Sequence, residues 1–428
     1  MIFSFSRMSI AERPWNDSAQ SPAWSKNARP ATTSASDSRS CRASPAKTSG
    51  GTLARRARAT SACSSLGHSG WWAAGYERQE DGVQTGSVTA IALSLVRDNP
   101  ADVRVLSGIQ PTGEKHLGNY VGAIRRWAQE QHEVDAFHPI VDLHAITVPQ
   151  DPEDLREATL DLTALLIASG LDPSACTLFV QSHVPEHPRL AWVLECMTPY
   201  GELRRMPQFR EKSAAQSSFS VGLITYPVLQ AADILLYDAD VVPVGEDQRQ
   251  HLELARDIAQ RFNQRFGETF VVPKGTYGEL GAKIMDLQNP ENRMSTSLSS
   301  ELGIVKVLDP PDLIRRKLRS AVTDSGREVV RAEDKPGVTN LIEIMAVATG
   351  RTPEAIEARF DGAGYGQFKE EVAESVVQLL DPIRLRYGEL RGRPHRLAEI
   401  LAQGAEKAHA IARETLARVH ERVGFVPP

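Results

Sequence analysis

Residues 103–119 read VRVLSGIQPTGEKHLGN, and this stretch decides the fold. Its first four residues form a short apolar run of the kind found in a buried parallel strand. Gly108, Pro111 and Gly113 then break the regular pattern, and helical spacing begins at Gly118. A strand, a glycine-containing loop and a helix start form a natural phosphate site, because the first helical N–H groups have no partner within the helix.

A second segment, Arg293-Met294-Ser295-Thr296-Ser297, lies in the polar stretch 288–300. We expect a mobile loop there, which could close over a triphosphate because Arg293 supplies charge and the hydroxyls donate hydrogen bonds. Each segment also has a plainer interpretation. The first fits an ordinary strand-to-helix turn in which His116 is merely polar, and the second fits a solvated surface loop.

Strands and helices alternate from Val103 to Phe266, which predicts an α/β fold with a parallel sheet. The predicted strands after the first are 136–141, 177–181 and 241–244, with helices near Pro152, over 188–197 and after Gly245. Beyond Ser300 the candidates are all helical, namely 311–322, 338–349, 353–360, 368–387 and 405–423. The predicted domains are therefore an α/β nucleotide-binding domain over 103–299 and a helical domain over 300–428.

Residues 1–102 differ in composition from the rest of the chain. The segment 31–51 is mostly Ser, Ala, Thr and Arg without periodic apolar spacing, and such a segment cannot offset its chain entropy by burial. We therefore expect a disordered N-terminal extension. Its Ser and Arg content also fits an organellar transit peptide. We prefer a dispensable extension, such as one arising from a wrongly assigned upstream start.

Charge and cysteine content restrict the class of protein. The first 100 residues carry a net charge of +5, and the remainder carries −10. An acidic body does not indicate nucleic-acid binding, so any such contact would use local basic patches. The four cysteines are Cys41, Cys63, Cys176 and Cys196, and they form no C-x-x-C pair. This predicts neither a zinc site nor a disulfide framework, which fits the reducing cytoplasm, and we expect no metal site. No apolar run reaches the ~18 residues that span a bilayer.

Tyr226, Gln230 and Asp233 are the candidates for a small-molecule pocket. We expect a helix with Pro227 in its first turn, and the three residues are then i, i+4 and i+7 on one face. A carboxylate on that face would accept a hydrogen bond from a buried N–H, such as the one an indole ring offers. An ordinary buried helix with a salt-bridged Asp233 is the alternative.

A second strand–glycine–helix junction follows at 242–248. Ligands of an open α/β sheet bind at the carboxyl ends of the strands. Glu246 and Asp247 would suit ribose hydroxyls there, and Gln248 a substrate's ammonium or carboxylate group. The alternative is that the acidic residues only complement a helix dipole.

These segments resemble the signatures of class I aminoacyl-tRNA synthetases, and more narrowly of bacterial tryptophanyl-tRNA synthetases. The resemblance covers about 103–428. It rests on SGIQPTG (107–113), HLGNY (116–120), VDLHAIT (141–147), GEL (201–203), QFREKS (208–213), AADILLY (231–237), the run 242–251, AVTDS (321–325) and KPG (335–337).

The resemblance implies a Rossmann-like catalytic domain, a helical anticodon-binding domain and a cytoplasmic homodimer. It implies that ATP, with Mg²⁺, activates L-tryptophan, which is then transferred to tRNA(Trp), with no tightly bound cofactor. The catalytic residues would be His116, Asn119, Lys212 and Arg293, and the tryptophan-binding residues would be Tyr226, Gln230, Asp233 and Gln248. The ATP-binding residues would be Gln110, Pro111, Thr112, Gly118, Asn119, Gly245, Glu246, Asp247, Ile284, Arg293, Met294, Ser295, Thr296 and Ser297.

The chain departs from the family pattern at four positions. The usual loop signature is Lys-Met-Ser-Lys-Ser, whereas here Arg293 replaces the first Lys and Thr296 the second. Leu106 replaces a common aromatic residue and Gln230 a common Met, so the pocket could differ in its tolerance of analogues. Two alternatives therefore stay open: a catalytically silenced paralogue that binds tRNA or tryptophan as a regulator, and a tyrosyl-tRNA synthetase or other class I adenylyl transferase.

Overall fold

The structure is a computed structural model that describes residues 102–206, 220–277, 283–296 and 299–427. A five-stranded sheet lies at its centre, in the order β3-β2-β1-β4-β5, and every pair of neighbouring strands is parallel. The strands are β1 Arg104–Leu106, β2 Asp135–Ile140, β3 Thr177–Val180, β4 Val241–Val244 and β5 Lys274–Tyr277. The predicted parallel α/β fold is thus confirmed.

The helices around the sheet follow the predicted order. The first, α1, comprises Leu117–Asn119, a π-helical stretch Tyr120–Ile124, and Arg125–Glu130. A short helical turn, Asp142–Ala145, follows β2. The longer helices described in this part are α2 Pro152–Ala168, α3 Glu186–Glu195, α4 Tyr200–Arg205, α5 Gly222–Leu235 and α6 Arg249–Phe266. Their ends follow local chemistry: the Asp151 carboxylate caps α2 by accepting from the N–H groups of Glu153 and Asp154.

Beyond residue 300 the described elements are helical, apart from turns and isolated bridges. They are α7 Pro311–Arg319, α8 Pro336–Thr349, α9 Pro353–Arg359, α10 Tyr365–Arg391 and α11 Pro394–Val423. Four of the five have proline in their first turn, where the missing N–H costs no hydrogen bond. The structure thus confirms helices where the sequence predicts them, and the separation of domains near residue 300 stays a prediction.

The last helix packs directly on the sheet. Gly404 of α11 lies so close to β3 that a Cβ atom at this position would overlap the carbonyl oxygen of Leu178. A continuous apolar core contains residues from both parts of the chain, from Ile109 and Leu178 to Phe368 and Leu401. Hence α11 covers β3, an edge strand of the sheet whose backbone would otherwise be open to pairing.

Two sequence-based expectations need correction. Pro227 lies inside α5 rather than in its first turn, because the helix begins five residues earlier, at Gly222. The sequence predicts a mobile loop over 288–300, with a solvated surface loop as the plainer alternative. The described part is not simply solvated, because Met285 and Arg293 form an antiparallel bridge and Met294 is buried, which makes it a small hairpin attached to the core. Its mobility stays a prediction.

The described helices include none with the length and apolar character that crossing a bilayer requires. The predicted extension 1–102 lies outside the described residues except for Asp102.

Candidate active site

The strand order of the sheet reverses direction between the neighbouring strands β1 and β4. From β1 the chain proceeds outward through β2 and β3, then returns to place β4 on the other side of β1. This strand order makes the carboxyl ends of β1 and β4 a topological switch point, the usual ligand crevice of an open α/β sheet. The loop after β1 and the Gly245 junction after β4 both open there, as the sequence predicts.

Reciprocal hydrogen bonds fix the start of α1. The Gly118 N–H donates to His116 Nδ1 at 3.1 Å, and the His116 N–H donates to Asn119 Oδ1 at 3.0 Å. Because Nδ1 accepts, the proton of the neutral ring lies on Nε2. Burial, together with the nearby charge of Lys115, lowers the pKa of His116 to about 4, so the ring is neutral at pH 7. His116 can therefore offer a hydrogen bond to a ligand but no charge.

The loop between β1 and α1 contains a buried amide with an unsatisfied donor. Gln110 is buried, and its Nε2 has no hydrogen-bond partner among the described residues, although its Oε1 accepts from Thr112. An unpaired buried donor is costly unless a ligand or water satisfies it. Pro111 is buried beside Gln110, so this part of the loop is well packed.

The two signature segments meet in the structure although they are far apart in the sequence. The hydroxyl of Thr296 lies 3.9 Å from the Cβ position of Gly113, and the side chain of Ile284 lies 3.7 Å from that of Gly118. The chain after the hairpin also joins α1, because the Leu117 N–H donates to the Val305 carbonyl at 2.8 Å. The fold therefore brings these two segments together.

The side chain of Asn340 on α8 anchors the hairpin. Its Oδ1 accepts from the Met285 N–H at 2.9 Å, and its Nδ2 donates to the Met285 carbonyl at 3.0 Å. The Met294 N–H donates to the Ile284 carbonyl at 3.2 Å, which closes the turn. Ile284 and Met294 are buried, whereas Arg293 is exposed and Ser295 is half-buried. Contact with ATP from this segment would thus come from its backbone and polar side chains.

The junction after β4 begins with Gly245 and a single turn, Glu246–Gln248, that leads into α6. Gln248 is fully buried and its Nε2 donates to the Asp247 carboxylate at 3.0 Å. Its Oε1 has no hydrogen-bond partner within the described ranges. An acceptor in this position suits a substrate ammonium group, as predicted for Gln248.

The predicted stripe on α5 is entirely buried. Tyr226, Gln230 and Asp233 are each 0–1% exposed. The Tyr226 hydroxyl is 2.9 Å from Nε2 of His251 on α6. Both amide atoms of Gln230 lack hydrogen-bond partners in the described part of the chain. A buried primary amide without partners is a strong indication of a polar ligand, because its desolvation is otherwise uncompensated.

Three side chains surround the Asp233 carboxylate. Gln181 Nε2 lies 2.7 Å and His187 Nδ1 2.6 Å from Oδ1, and His144 Nε2 lies 2.7 Å from Oδ2. Burial would raise the pKa of Asp233, but the charges and hydrogen bonds of His144 and His187 outweigh it and hold the pKa well below its usual range. Asp233 is therefore ionised. A carboxylate has about four lone-pair sites, so one on Oδ2 is left for a further donor.

These partners of Asp233 are not among the residues that the sequence predicts for the site. His144 follows β2 and Gln181 follows β3, so the rule that ligand-binding residues lie at the carboxyl ends of strands could have found both. His187, which is 2.7 Å from the Tyr237 hydroxyl, lies within α3, and no sequence pattern marks it. Lys212 and Ser297 lie outside the described residues, as does the side chain of Glu246.

Comparison with known proteins gives consistent matches. The model of a family described as tRNA synthetases class I (W and Y) matches residues 98–381. Tryptophan–tRNA ligase 2 of Streptomyces avermitilis is 55% identical over 338 residues, which cover 78% of this chain and 99% of that protein. Tryptophan–tRNA ligase of Leifsonia xyli subsp. xyli is 55% identical over 329 residues, which cover 76% of this chain and 98% of that protein.

The fold is also similar to solved structures. The crystal structure of tryptophanyl-tRNA synthetase from Campylobacter jejuni, complexed with ADP and tryptophan, superimposes with a TM-score of 0.68 at 36% sequence identity. The alignment covers 76% of this chain and all of that one. The enzyme from Mycoplasma pneumoniae gives a TM-score of 0.69 at 35% identity, covering 76% and 98% of the two chains.

Proposed function

We infer the function from a premise that the comparisons establish: this chain belongs to the class I tRNA synthetases for tryptophan and tyrosine. It is an aminoacyl-tRNA synthetase, a tryptophan–tRNA ligase. It activates L-tryptophan with ATP to give tryptophanyl-AMP and pyrophosphate, and then transfers the tryptophan to tRNA(Trp). Eight relatives at 48–55% identity are tryptophan–tRNA ligases, and no observation favours the silenced paralogue or the tyrosyl enzyme.

The buried polar cluster around Asp233 carries our assignment of the tryptophan pocket. Its carboxylate is ionised, fully buried and has one lone pair that no described side chain uses. An indole N–H is a donor without acceptor capacity, so it fits this lone pair. Gln230 and Gln248 supply further buried atoms without partners, which suit the ammonium and carboxylate groups of an amino acid. Tyr226 completes the pocket.

ATP would bind in the crevice between the ends of β1 and β4. Gln110, Pro111, Thr112, Gly118 and Asn119 would contact it from the first loop. Gly245, Glu246 and Asp247 would contact the ribose side. Ile284, Arg293, Met294, Ser295 and Thr296 would cover ATP, together with Ser297, which lies outside the described residues. Mg²⁺ would arrive with ATP as part of the substrate complex.

The reaction needs no protein nucleophile. The tryptophan carboxylate attacks the α-phosphorus in line, the bond to the β-phosphate oxygen breaks, and pyrophosphate leaves. The protein contributes position and stabilisation of charge on the phosphates. The neutral His116, Asn119, the N–H groups at the start of α1, Arg293 and Lys212 are the groups that would supply it.

We also propose a homodimer in the cytoplasm, with the helical part 300–428 reading the anticodon of tRNA(Trp). Two large aromatic residues support a protein contact: Trp192 on α3 is 67% exposed and Tyr200 on α4 is 61% exposed. Tyr and Trp side chains are enriched at protein–protein interfaces relative to the rest of a protein surface. Light scattering of the purified chain would show twice the monomer mass, and a monomer would exclude this proposal.

ATP–pyrophosphate exchange tests the proposed function. Labelled pyrophosphate should enter ATP in the presence of tryptophan, whereas tyrosine at the same concentration should support little exchange. Exchange with tyrosine alone would make the chain a tyrosyl enzyme, and absence of exchange with either amino acid would favour the silenced paralogue.

A further inference from the structure

Lys115 is a cation in the signature loop that the proposed mechanism does not use. Its ammonium donates to three loop carbonyls: to Thr112 at 2.7 Å, to Gln110 at 3.0 Å and to Gly113 at 3.3 Å. Among the described residues no carboxylate forms an ion pair with it. The side chain is half-buried, and burial lowers the pKa of Lys115 to about 8. A partly desolvated ammonium without a counter-ion is costly, which makes it receptive to an anion.

Lys115 also lies where the two signature segments meet. Its ammonium bonds the Gly113 carbonyl, and the Thr296 hydroxyl is 3.9 Å from the Cβ position of the same glycine. Thr296 brings no charge to this junction. The adjacent His116 brings none at pH 7, because its pKa is lowered to about 4.

The neighbouring cation differs from Lys115 in having its own counter-ions. The Lys306 ammonium is 2.6 Å from the Glu114 carboxylate and 3.4 Å from that of Glu301. These partners raise the pKa of Lys306. The charge of Lys306 is therefore neutralised within the protein, although its backbone bridges to the residue next to Lys115.

We propose that Lys115 is a further ATP-binding residue, whose ammonium supplies positive charge to the triphosphate at the junction of the loop after β1 with Thr296. The proposal rests on the proposed function for the identity of the ligand. A phosphate oxygen would replace the Gly113 carbonyl, the most distant of the three acceptors. The remaining two hydrogen bonds would keep the ammonium in position.

Four full-length forms test the proposal by ATP–pyrophosphate exchange: the parent, Lys115→Met, Thr296→Lys and the double variant. Lys115→Met should lower kcat/KM for ATP on the order of 10–100-fold, the effect of one charged hydrogen bond. The KM for tryptophan should change less than about twofold. Because Thr296→Lys places a new cation at the same junction, it should restore most of the loss in the double variant.

Lys306→Met is the matched control, since it removes a neighbouring ammonium that is already neutralised. It should lower kcat/KM for ATP less than about threefold. The proposal is overturned if Lys306→Met costs as much as Lys115→Met. It is also overturned if Lys115→Met lowers kcat/KM for ATP by the same factor in the parent and in the Thr296→Lys background. That result would mean that Lys115 only supports the loop.

The pH profile gives a second test that does not need a tolerated Met substitution. The ammonium loses its charge as the pH rises through about 8, so kcat/KM for ATP should fall there in the parent. Lys115→Arg should keep its charge and remove this fall. Identical profiles for the two forms would contradict the proposal.

Calorimetric titration with ATP alone separates this proposal from the proposed function. If the parent binds ATP but supports no exchange, the enzyme assignment fails while the Lys115 claim is still decided by the dissociation constants. Lys115→Met should weaken ATP on the order of 10-fold or more, and equal affinities would refute the role of Lys115.

Discussion

At the scale of residues, the assignment of the amino-acid pocket depends on Asp233. His144 and His187 hold the fully buried carboxylate ionised, and Gln181 donates a further hydrogen bond to it. The Tyr237 hydroxyl in turn bonds His187. Since the two histidines and Gln181 occupy three of the about four lone-pair sites of the Asp233 carboxylate, one site on Oδ2 is left to accept from a ligand. This explains how a small pocket could select an indole ring through a single N–H.

Replacing Asp233 tests that selection. Asp233→Ala would leave the indole N–H without an acceptor, at a cost of about 1–3 kcal/mol or more because the acceptor is charged. We expect kcat/KM for tryptophan in pyrophosphate exchange to fall at least ~10-fold, with little change in ATP affinity. The benzothiophene analogue of tryptophan, which has no ring N–H, is the control, and an equal loss for both substrates would refute the assignment.

Arg293 should contribute in the activation step, because it is an exposed cation on the hairpin that we propose lies over the phosphates of ATP. Arg293→Ala should slow pyrophosphate exchange at saturating tryptophan on the order of 10–100-fold. Arg293→Lys keeps the charge and should retain more of the activity. An alanine variant as active as the parent would remove Arg293 from the site.

At the scale of elements, apolar runs and strand–glycine–helix junctions predicted β1 to β4 and most helices. No sequence pattern predicts β5, because Lys274-Gly275-Thr276-Tyr277 is a short edge strand without an apolar run. The start of α11 also differs from the prediction, since the helix begins at Pro394 rather than at residue 405. The residues 394–404 include Arg, His and Gln, and their helical state is supported by packing against α2 and β3.

Some residues of the candidate site could likewise be predicted from the sequence, and others could not. Residues next to glycine junctions, such as His116 and Gln248, could be predicted because the local sequence marks them. His187 and Lys115 could not. The role of His187 depends on a contact with Asp233, 46 positions away, and that of Lys115 on three backbone carbonyls whose positions only the folded loop defines.

The contact between α11 and β3 can be tested through its glycine. Gly404→Ala would force a methyl group against the Leu178 carbonyl, so we expect a destabilisation of about 1–3 kcal/mol in urea unfolding. Gly388→Ala in α10 is the matched control, because no atom lies within 4 Å of the added Cβ. It should be neutral or stabilise by up to ~1 kcal/mol. If the two variants are equally stable, α11 does not pack on β3 as described.

At the scale of the whole molecule, residues 102–427 contain the sheet, its covering helices and every candidate site residue that the structure describes. About three quarters of this chain aligns with 96–99% of the length of the tryptophan–tRNA ligases to which it is similar. Residues 1–102 are thus additional to the part of the chain that matches these relatives.

Removing the extension should have little effect. A chain that begins near Asp102 should show the melting temperature and aminoacylation rate of the full chain, because the sequence of 1–100 has no periodic apolar spacing to form a core. A drop of many degrees in melting temperature, or a large loss of charging, would show that the extension takes part in folding or catalysis.

Charging of tRNA tests the central claim most directly. The full-length protein would be incubated with ATP, Mg²⁺, labelled tryptophan and a tRNA(Trp) transcript, with a tRNA(Tyr) transcript and labelled tyrosine as the matched control. We predict that tryptophan accumulates on tRNA(Trp) and that the tyrosine reaction stays at background. Failure to charge tRNA(Trp) by a folded protein, or charging of tRNA(Tyr) with tyrosine instead, would contradict its assignment as a tryptophan–tRNA ligase.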